Sequence, residues 1–294
     1  MALAVEEGII VKGIGGFYYV KNDKNTYECR ARGLFRKKKI TPLVGDHVKI
    51  ELSDENTGYI HEIFKRKTEL FRPPVANVDQ VVIVFAAQNP DPNLWLLDRF
   101  ILLAESQGLD IIMCLTKVDL ADENKVEEFL KPYIQVGYPV YKIDNKSRFG
   151  VDEFKEQLKG KISVFAGPSG VGKSTLLNNI QPELKLQTGE VSGKTKRGKH
   201  TTRHVELLSL DMGGHVLDTP GFSSMDISYL EENEIKSLFK EMEENSDYCK
   251  FRGCMHLNEP SCEIKRMVET GEISESRYKH YTEFVEEIRK NRRY

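Results

Sequence analysis

The chain opens with short runs in which apolar and polar residues alternate, each closed by a turn signal. Ile9 to Tyr19, Thr26 to Ala31, His47 to Leu52 and Tyr59 to Phe64 are separated by Asn22-Asp23, Gly45-Asp46 and Asn56-Thr57-Gly58. This spacing predicts a small all-β barrel over residues 1–71, of the OB class or its SH3-like neighbour. Such a barrel is either a structural module or a surface for oligonucleotides. Arg72-Pro73-Pro74 then reads as a linker, because consecutive prolines suit neither a helix nor a central strand.

Beyond it the pattern changes. Val78 to Ala86 is almost continuously apolar, as a strand covered on both faces must be. Leu94, Leu97, Ile101 and Ala104 follow at helical spacing, and Leu109 to Leu115 is a second buried strand. Val126 to Lys131 (helix), Tyr138 to Ile143 (strand), Val151 to Leu158 (helix) and Ile162 to Ala166 (strand) continue the alternation. The prediction for residues 72–227 is a doubly wound α/β domain. After residue 227 the strands stop. Ile235, Leu238, Phe239 and Met242 mark one amphipathic helix, and Tyr278, Tyr281, Val285 and Ile288 mark a last one with a basic end, giving a helical module over 228–294.

Composition narrows the class. The 294 residues are 39% hydrophobic and 30% charged, which argues against a collagen, a disordered tail or a membrane protein. No run reaches the roughly 18 apolar residues that a bilayer span needs, and the first residues carry no secretory pattern, so a cytoplasmic address is expected. Net charge is −2, but Lys and Arg outnumber Asp and Glu in the barrel, which permits RNA contact there. Five cysteines without a secretory signal suggest metal binding or burial rather than disulfides.

The strongest chemistry is Gly167-Pro168-Ser169-Gly170-Val171-Gly172-Lys173-Ser174-Thr175, a P-loop that follows a predicted strand and opens a predicted helix. Its glycines let backbone N–H groups face phosphates at a helix N-terminus. Lys173 is expected on the β- and γ-phosphates, and Ser174 on Mg²⁺. Thr116-Lys117-Val118-Asp119, at the end of a buried strand, resembles the base-reading element of GTPases. The Asp119 carboxylate can accept from N1–H and the 2-amino group of guanine and would repel adenine. Lys117 can lie along the base, and Thr116 stands where Asn is commoner.

Asp218-Thr219-Pro220-Gly221 matches the D-x-x-G element, with Asp218 for Mg²⁺ and the Gly221 N–H for the γ-phosphate. Phe222 follows, where many regulatory GTPases have a water-orienting Gln, so slow intrinsic hydrolysis is expected. The segment from Ser192 to His204 is basic and glycine-punctuated and occupies a switch position. Thr202, in preference to Thr201, is the candidate for closing on Mg²⁺ and γ-phosphate. His200 has three readings: it positions or deprotonates the attacking water, it contacts RNA phosphate, or it is solvated. Because Thr116 precedes Gly167, the domain is circularly permuted relative to ordinary GTPases.

Cys249, Cys254, His256 and Cys262 form a Cys₃His set in a turn-rich segment, the composition of one closed, structural zinc site. Cys29 and Cys114 fall in predicted strands and are assigned to packing.

The barrel, the permuted order TKVD, GPSGVGKST, GKHTT, DTPG and the C-x4-C-x-H-x5-C tail together resemble the small ribosomal subunit-dependent GTPase A family across the whole chain. The resemblance implies an N-terminal OB-type β-barrel, a central circularly permuted P-loop GTPase and a C-terminal helical zinc-binding module. It further implies GTP/GDP and Mg²⁺ as ligands, the small (30S) ribosomal subunit and its 16S rRNA as partners in late maturation, and hydrolysis stimulated by the subunit. Thr116 for Asn, and Lys199 for the Arg of a G-R-H-T-T motif, depart from that pattern. The loop near Ile143 to Lys146 lacks a Ser-Ala signature, so no residue is assigned there. Two other classes fit parts of the chain: a P-loop nucleotide kinase or ATPase with accessory domains, and a non-catalytic RNA-binding scaffold stabilised by nucleotide. No heptad or interface stripe is visible, so a monomer that does not engage membranes is expected.

Overall fold

The computed structural model of the chain describes residues 4–71, 73–186, 205–217 and 225–292. The first strands are β1 (Val5–Ile14), β2 (Phe17–Lys21) and β3 (Thr26–Ala31). A short helix α1 (Gly33–Lys37) precedes β4 (His47–Leu52) and β5 (Thr57–Ile63). These five strands close in the order β1-β2-β3-β5-β4, an OB-like barrel, with β3 and β5 parallel and β1 pairing back onto β4. Period-two alternation sends Ile10, Val20, Cys29, Val48, Ile50 and Ile60 inside, all fully buried.

The single strand expected over Ile9 to Tyr19 is instead a hairpin. Gly15 and Gly16, at φ 60° and 85°, form its two-residue turn and set Ile14 opposite Phe17. The proline linker also departs from expectation. Pro74 begins β7 (Pro74–Ala76), which pairs with β6 (Glu69–Phe71), because a proline at a strand's first residue needs no ladder donor. Gly45 lies against β7: at φ 90° its added Cβ would sit 2.0 Å from Ala76 O.

Next come β8 (Gln80–Ala86), α2 (Leu94–Ser106), β9 (Asp110–Thr116), α3 (Glu123–Gln135), β10 (Val140–Ile143) and α4 (Val151–Glu156). They are followed by β11 (Ile162–Ala166), α5 (Lys173–Ile180), β12 (Leu207–Ser209) and β13 (His215–Leu217). The strands form one six-stranded sheet, β10-β9-β8-β11-β13-β12, with β10/β9 and β11/β13 parallel and the edge pair β12/β13 antiparallel. Every residue of β8 and β11 is buried, as their largely apolar runs required. The order of strand addition reverses at β8, with β9 and β10 on one side and β11 on the other, the kind of switch point where open α/β sheets bind ligands at their carboxyl ends.

The C-terminal helices are α6 (Glu232–Ser237), α7 (Lys240–Glu243), α8 (Glu263–Glu269) and α9 (Glu275–Asn291). The one helix expected through Ile235 and Met242 is broken at Phe239, whose backbone is extended (φ −102°, ψ 96°). That break turns the Phe239 ring onto Tyr281, 5.6 Å away.

The chain divides into two units. One holds the barrel with residues through Val82, Val151–Ala166 and the segment beginning at Ser174; its hydrogen bonds include Lys161 Nζ to Gln80 Oε1 at 2.9 Å and the Gln80 amide to Ser163 Oγ at 2.8 Å. The other holds Ile83–Gly150, Gly167–Lys173 and the C-terminal helices, tied together by buried charge. Asp98 of α2 accepts from Arg277 and His280 of α9, each at 2.5 Å, while Glu241 of α7 pairs with Arg277. Arg99 makes a two-pronged pair with Glu287 at 2.6 and 2.7 Å. Among the described residues no helix is long and apolar enough to cross a membrane.

Candidate nucleotide site and metal centre

The P-loop runs from the end of β11 into α5, and its glycines are demanded by geometry. Gly167 has φ 136°, and a Cβ there would lie 2.0 Å from Val84 O. Gly172 has φ 97°, with Asn145 Nδ2 at 3.0 Å from the same hypothetical atom. Pro168 and Ser169 follow Gly167, Gly170 takes φ 78°, and Val171 is buried beneath the loop. Lys173, the first residue of α5, curls back to donate to Gly167 O at 2.7 Å and Pro168 O at 2.6 Å. Burial pushes its ammonium down to about 8. A lysine so placed is poised to exchange two carbonyl acceptors for phosphate oxygens. Ser174 is half-buried and Thr175 exposed on the first turn of α5.

The end of β9 meets this loop directly. Thr116 is fully buried, and its hydroxyl lies 2.5 Å from Val171 O and 3.1 Å from Phe85 O. The hydroxyl therefore holds the P-loop backbone. Lys117, at φ 57°, sends its ammonium to Gly170 O at 2.8 Å and to Asn89 O. Asp119 stands on a 3₁₀ turn, Val118–Leu120, at the surface. The structure thus brings Thr116, Lys117 and the P-loop together, with Asp119 two residues beyond. His200, Thr201, Thr202, Asp218 and Gly221 lie outside the described residues.

The loop after β10 joins the site without a motif to announce it. Asp144 accepts from Lys146 N at 2.8 Å and Ser147 N at 3.2 Å, and these bonds hold its carboxyl below the ordinary range, the Ser147 side chain contributing most. Asn145 Nδ2 reaches Gly172 O at 3.4 Å, and Lys146 Nζ pairs with Asp119 at 3.2 Å. Asp-Asn-Lys-Ser at a strand's carboxyl end is an Asx-turn signal, and that position was the available clue.

The four predicted metal ligands converge as expected: the donor atoms of Cys249, Cys254, His256 and Cys262 all lie within 4.8 Å of one another, and three of the residues are buried. His256 turns Nδ1 toward Cys249 Sγ (3.5 Å) and Cys262 Sγ (3.4 Å), while Nε2 meets Ser246 Oγ at 3.1 Å. Since Ser246 donates to Met242 O at 2.8 Å, it accepts Nε2–H and fixes the tautomer that presents Nδ1 to a metal. Glu259 receives Met255 N and Leu257 N, and Tyr278 donates to His256 O, so the knuckle's backbone is tied to α9. Burial raises the Cys254 thiol to about 12 and raises Cys262. A buried thiol set of this kind needs a cation to hold its thiolates, and three sulfurs with one imidazole fit tetrahedral zinc with no open position.

Comparison with known proteins agrees with this geometry. The RsgA N-terminal domain family matches residues 7–60, and the RsgA GTPase family matches residues 63–228. The small ribosomal subunit biogenesis GTPase RsgA of Alkaliphilus metalliredigens is 52% identical over 99% of this chain and 100% of that protein. Its counterpart in Bacillus cereus is 50% identical over 97% and 98%. Among solved structures, YloQ, described as a circularly permuted GTPase, superposes with TM-score 0.84 at 42% identity, covering 98% of this chain and 96% of its own. YjeQ from Thermotoga maritima gives TM-score 0.86 at 39% identity, covering 97% and 99%. Likeness of sequence and fold over the full length, with the Thr116–Asp119 segment ahead of the P-loop and docked onto it, makes this chain a member of the RsgA GTPase family and hence a GTP hydrolase.

Proposed function

We propose that the protein assists late maturation of the small ribosomal subunit in the cytoplasm, acting as a monomer whose GTP hydrolysis is stimulated by the subunit it binds. The observation that carries the nucleotide part is the direct tie of Thr116 and Lys117 to Val171 and Gly170, which couples base reading to the phosphate loop. Gly167 to Thr175 cradle the phosphates, Lys173 contacts the β- and γ-groups, and Asp119 with Lys117 reads guanine. Ser174, Thr202 and Asp218 are assigned to Mg²⁺, which when bound neutralises charge on the phosphates. Thr201 and Gly221 are assigned to the γ-phosphate side, and His200 to the attacking water. Phe222 stands where a water-orienting Gln is commoner, which favours a hydrolase that waits for its partner.

The partner reading rests on the names of the full-length relatives. The division into a barrel over 1–71, a GTPase over 72–227 and a zinc module over 228–294 is supported by the two family matches and the closed metal cluster. In this assignment 16S rRNA meets the barrel and the zinc module. Co-sedimentation with purified small subunits tests it. A non-hydrolysable GTP analogue should hold the wild-type protein on the subunit, and GDP or Lys173→Ala should release it. Association indifferent to nucleotide would leave only an RNA-binding scaffold.

A further inference from the structure

Met225 follows Gly221 by four residues, and its carbonyl oxygen accepts from Arg99 Nε at 2.6 Å. The other two nitrogens of the same guanidinium donate to Glu287 of α9, at 2.6 and 2.7 Å. The position is built. Arg99 is 5% exposed, and its Cζ lies 4.9 Å from the ring centre of Trp95 and 5.6 Å from that of Phe284, two rings that themselves meet edge to face. Phe284 and Glu287 stand one turn apart on α9, the helix from which Tyr278 donates to His256 O and Tyr281 to Met255 O in the zinc knuckle.

A pairing of Arg99 with Glu287 alone would join two helices. The added bond to Met225 O fixes a main-chain point against both. It takes three donors in one rigid plane, which arginine offers and lysine does not, and buried bonds from a charged donor are stronger than neutral ones. Four residues span at most about 14 Å, so a fixed Met225 limits where the Gly221 N–H can go. Resting on the assignment of Gly221 to the γ-phosphate, we propose that Arg99 is a positioning residue that fastens the exit of the D-x-x-G segment to α9. The restraint lets the Gly221 N–H meet GTP without the chain beyond it first being ordered. GDP has no γ-phosphate and makes no use of it.

The test compares GDP with a non-hydrolysable GTP analogue, each titrated with Mg²⁺ on the full-length protein. Arg99→Lys keeps charge and stem but cannot serve Met225 O and both Glu287 oxygens. It should leave GDP within about twofold and weaken the analogue by about fivefold or more. The retained GDP affinity also reports that the variant is folded. Equal weakening of both nucleotides would make Arg99 a structural tie, and no change in either would leave Gly221 independent of it. Each of these results overturns the proposal. Trp95, the single tryptophan, gives a reading that needs no variant: the Arg99 guanidinium lies over its ring, so its emission should differ between the analogue-bound and GDP-bound wild type. Identical emission contradicts the proposal even where Arg99→Lys does not fold. Gly221→Ala, which crowds the N–H, separates the underlying assignment. An unchanged ratio of analogue to GDP affinity there removes Gly221 as the sensor whatever Arg99 does, whereas a lowered ratio beside an unaffected Arg99→Lys keeps the assignment and sinks the proposal.

Discussion

Thr116 shows how a residue's environment decides its task. Its single hydroxyl proton goes to the nearer acceptor, Val171 O, so Thr116→Val keeps shape but strands that carbonyl, a loss of about 1–3 kcal/mol. Because the bond joins the end of β9 to the P-loop, GDP affinity should fall by about tenfold in a variant that still folds; an unaltered dissociation constant would show that the two loops are positioned independently. Lys173 makes a second prediction, with a sign. Its ordinary value of 10.5 drops to about 8 through burial, so between those values the folded, nucleotide-free chain binds fewer protons than the unfolded one. This group's contribution to stability therefore increases as pH rises through that window. Melting curves of wild type and Lys173→Met should move apart in the wild type's favour from about pH 8 to 10.5, and a pH-independent difference would contradict it. The P-loop was readable residue by residue because phosphate binding fixes residue types at fixed spacing. The tie of Asn145 to Gly172 was not, because a loop held by backbone turns leaves no comparable pattern.

At the level of elements, buried strands were legible and breaks were not. The runs at β8, β9 and β11 are apolar without alternation, which only burial on both faces explains. Gly15-Gly16 divides one apparent strand into two, and Phe239 divides one apparent helix, since periodicity carries across a turn when both sides bury the same face. No sequence pattern announced the charged seam of α2 and α9, because Asp98, Arg99, Arg277 and His280 look like ordinary solvated helix positions until packing covers them. Removing one member of a buried network leaves the others uncompensated. Asp98→Ala should cost about 3–5 kcal/mol, read as a lower urea midpoint. A change under about 1 kcal/mol, the ordinary range for an exposed pair, would mean that the seam is wet.

For the whole molecule, the permuted order was the most informative feature of the sequence, because it places the Thr116–Asp119 segment before the P-loop without changing what must meet in space. The sheet order β10-β9-β8-β11 meets that requirement, and Thr116 and Lys117 make the contact. The zinc set was equally legible, since four soft donors in a turn-rich segment leave few other uses. The partner is not written in the packing; it is proposed from the names of the full-length relatives, and Phe222 in place of a water-orienting Gln after Gly221 favours a need for one. The central claim is therefore a GTP-selective hydrolase waiting for the small subunit. Phosphate release from GTP and from ATP, with and without purified small subunits, tests it most directly. Slow release from GTP alone, a many-fold rise on adding subunits and none from ATP in either case are expected. Turnover that ignores subunits, or accepts ATP, would contradict it.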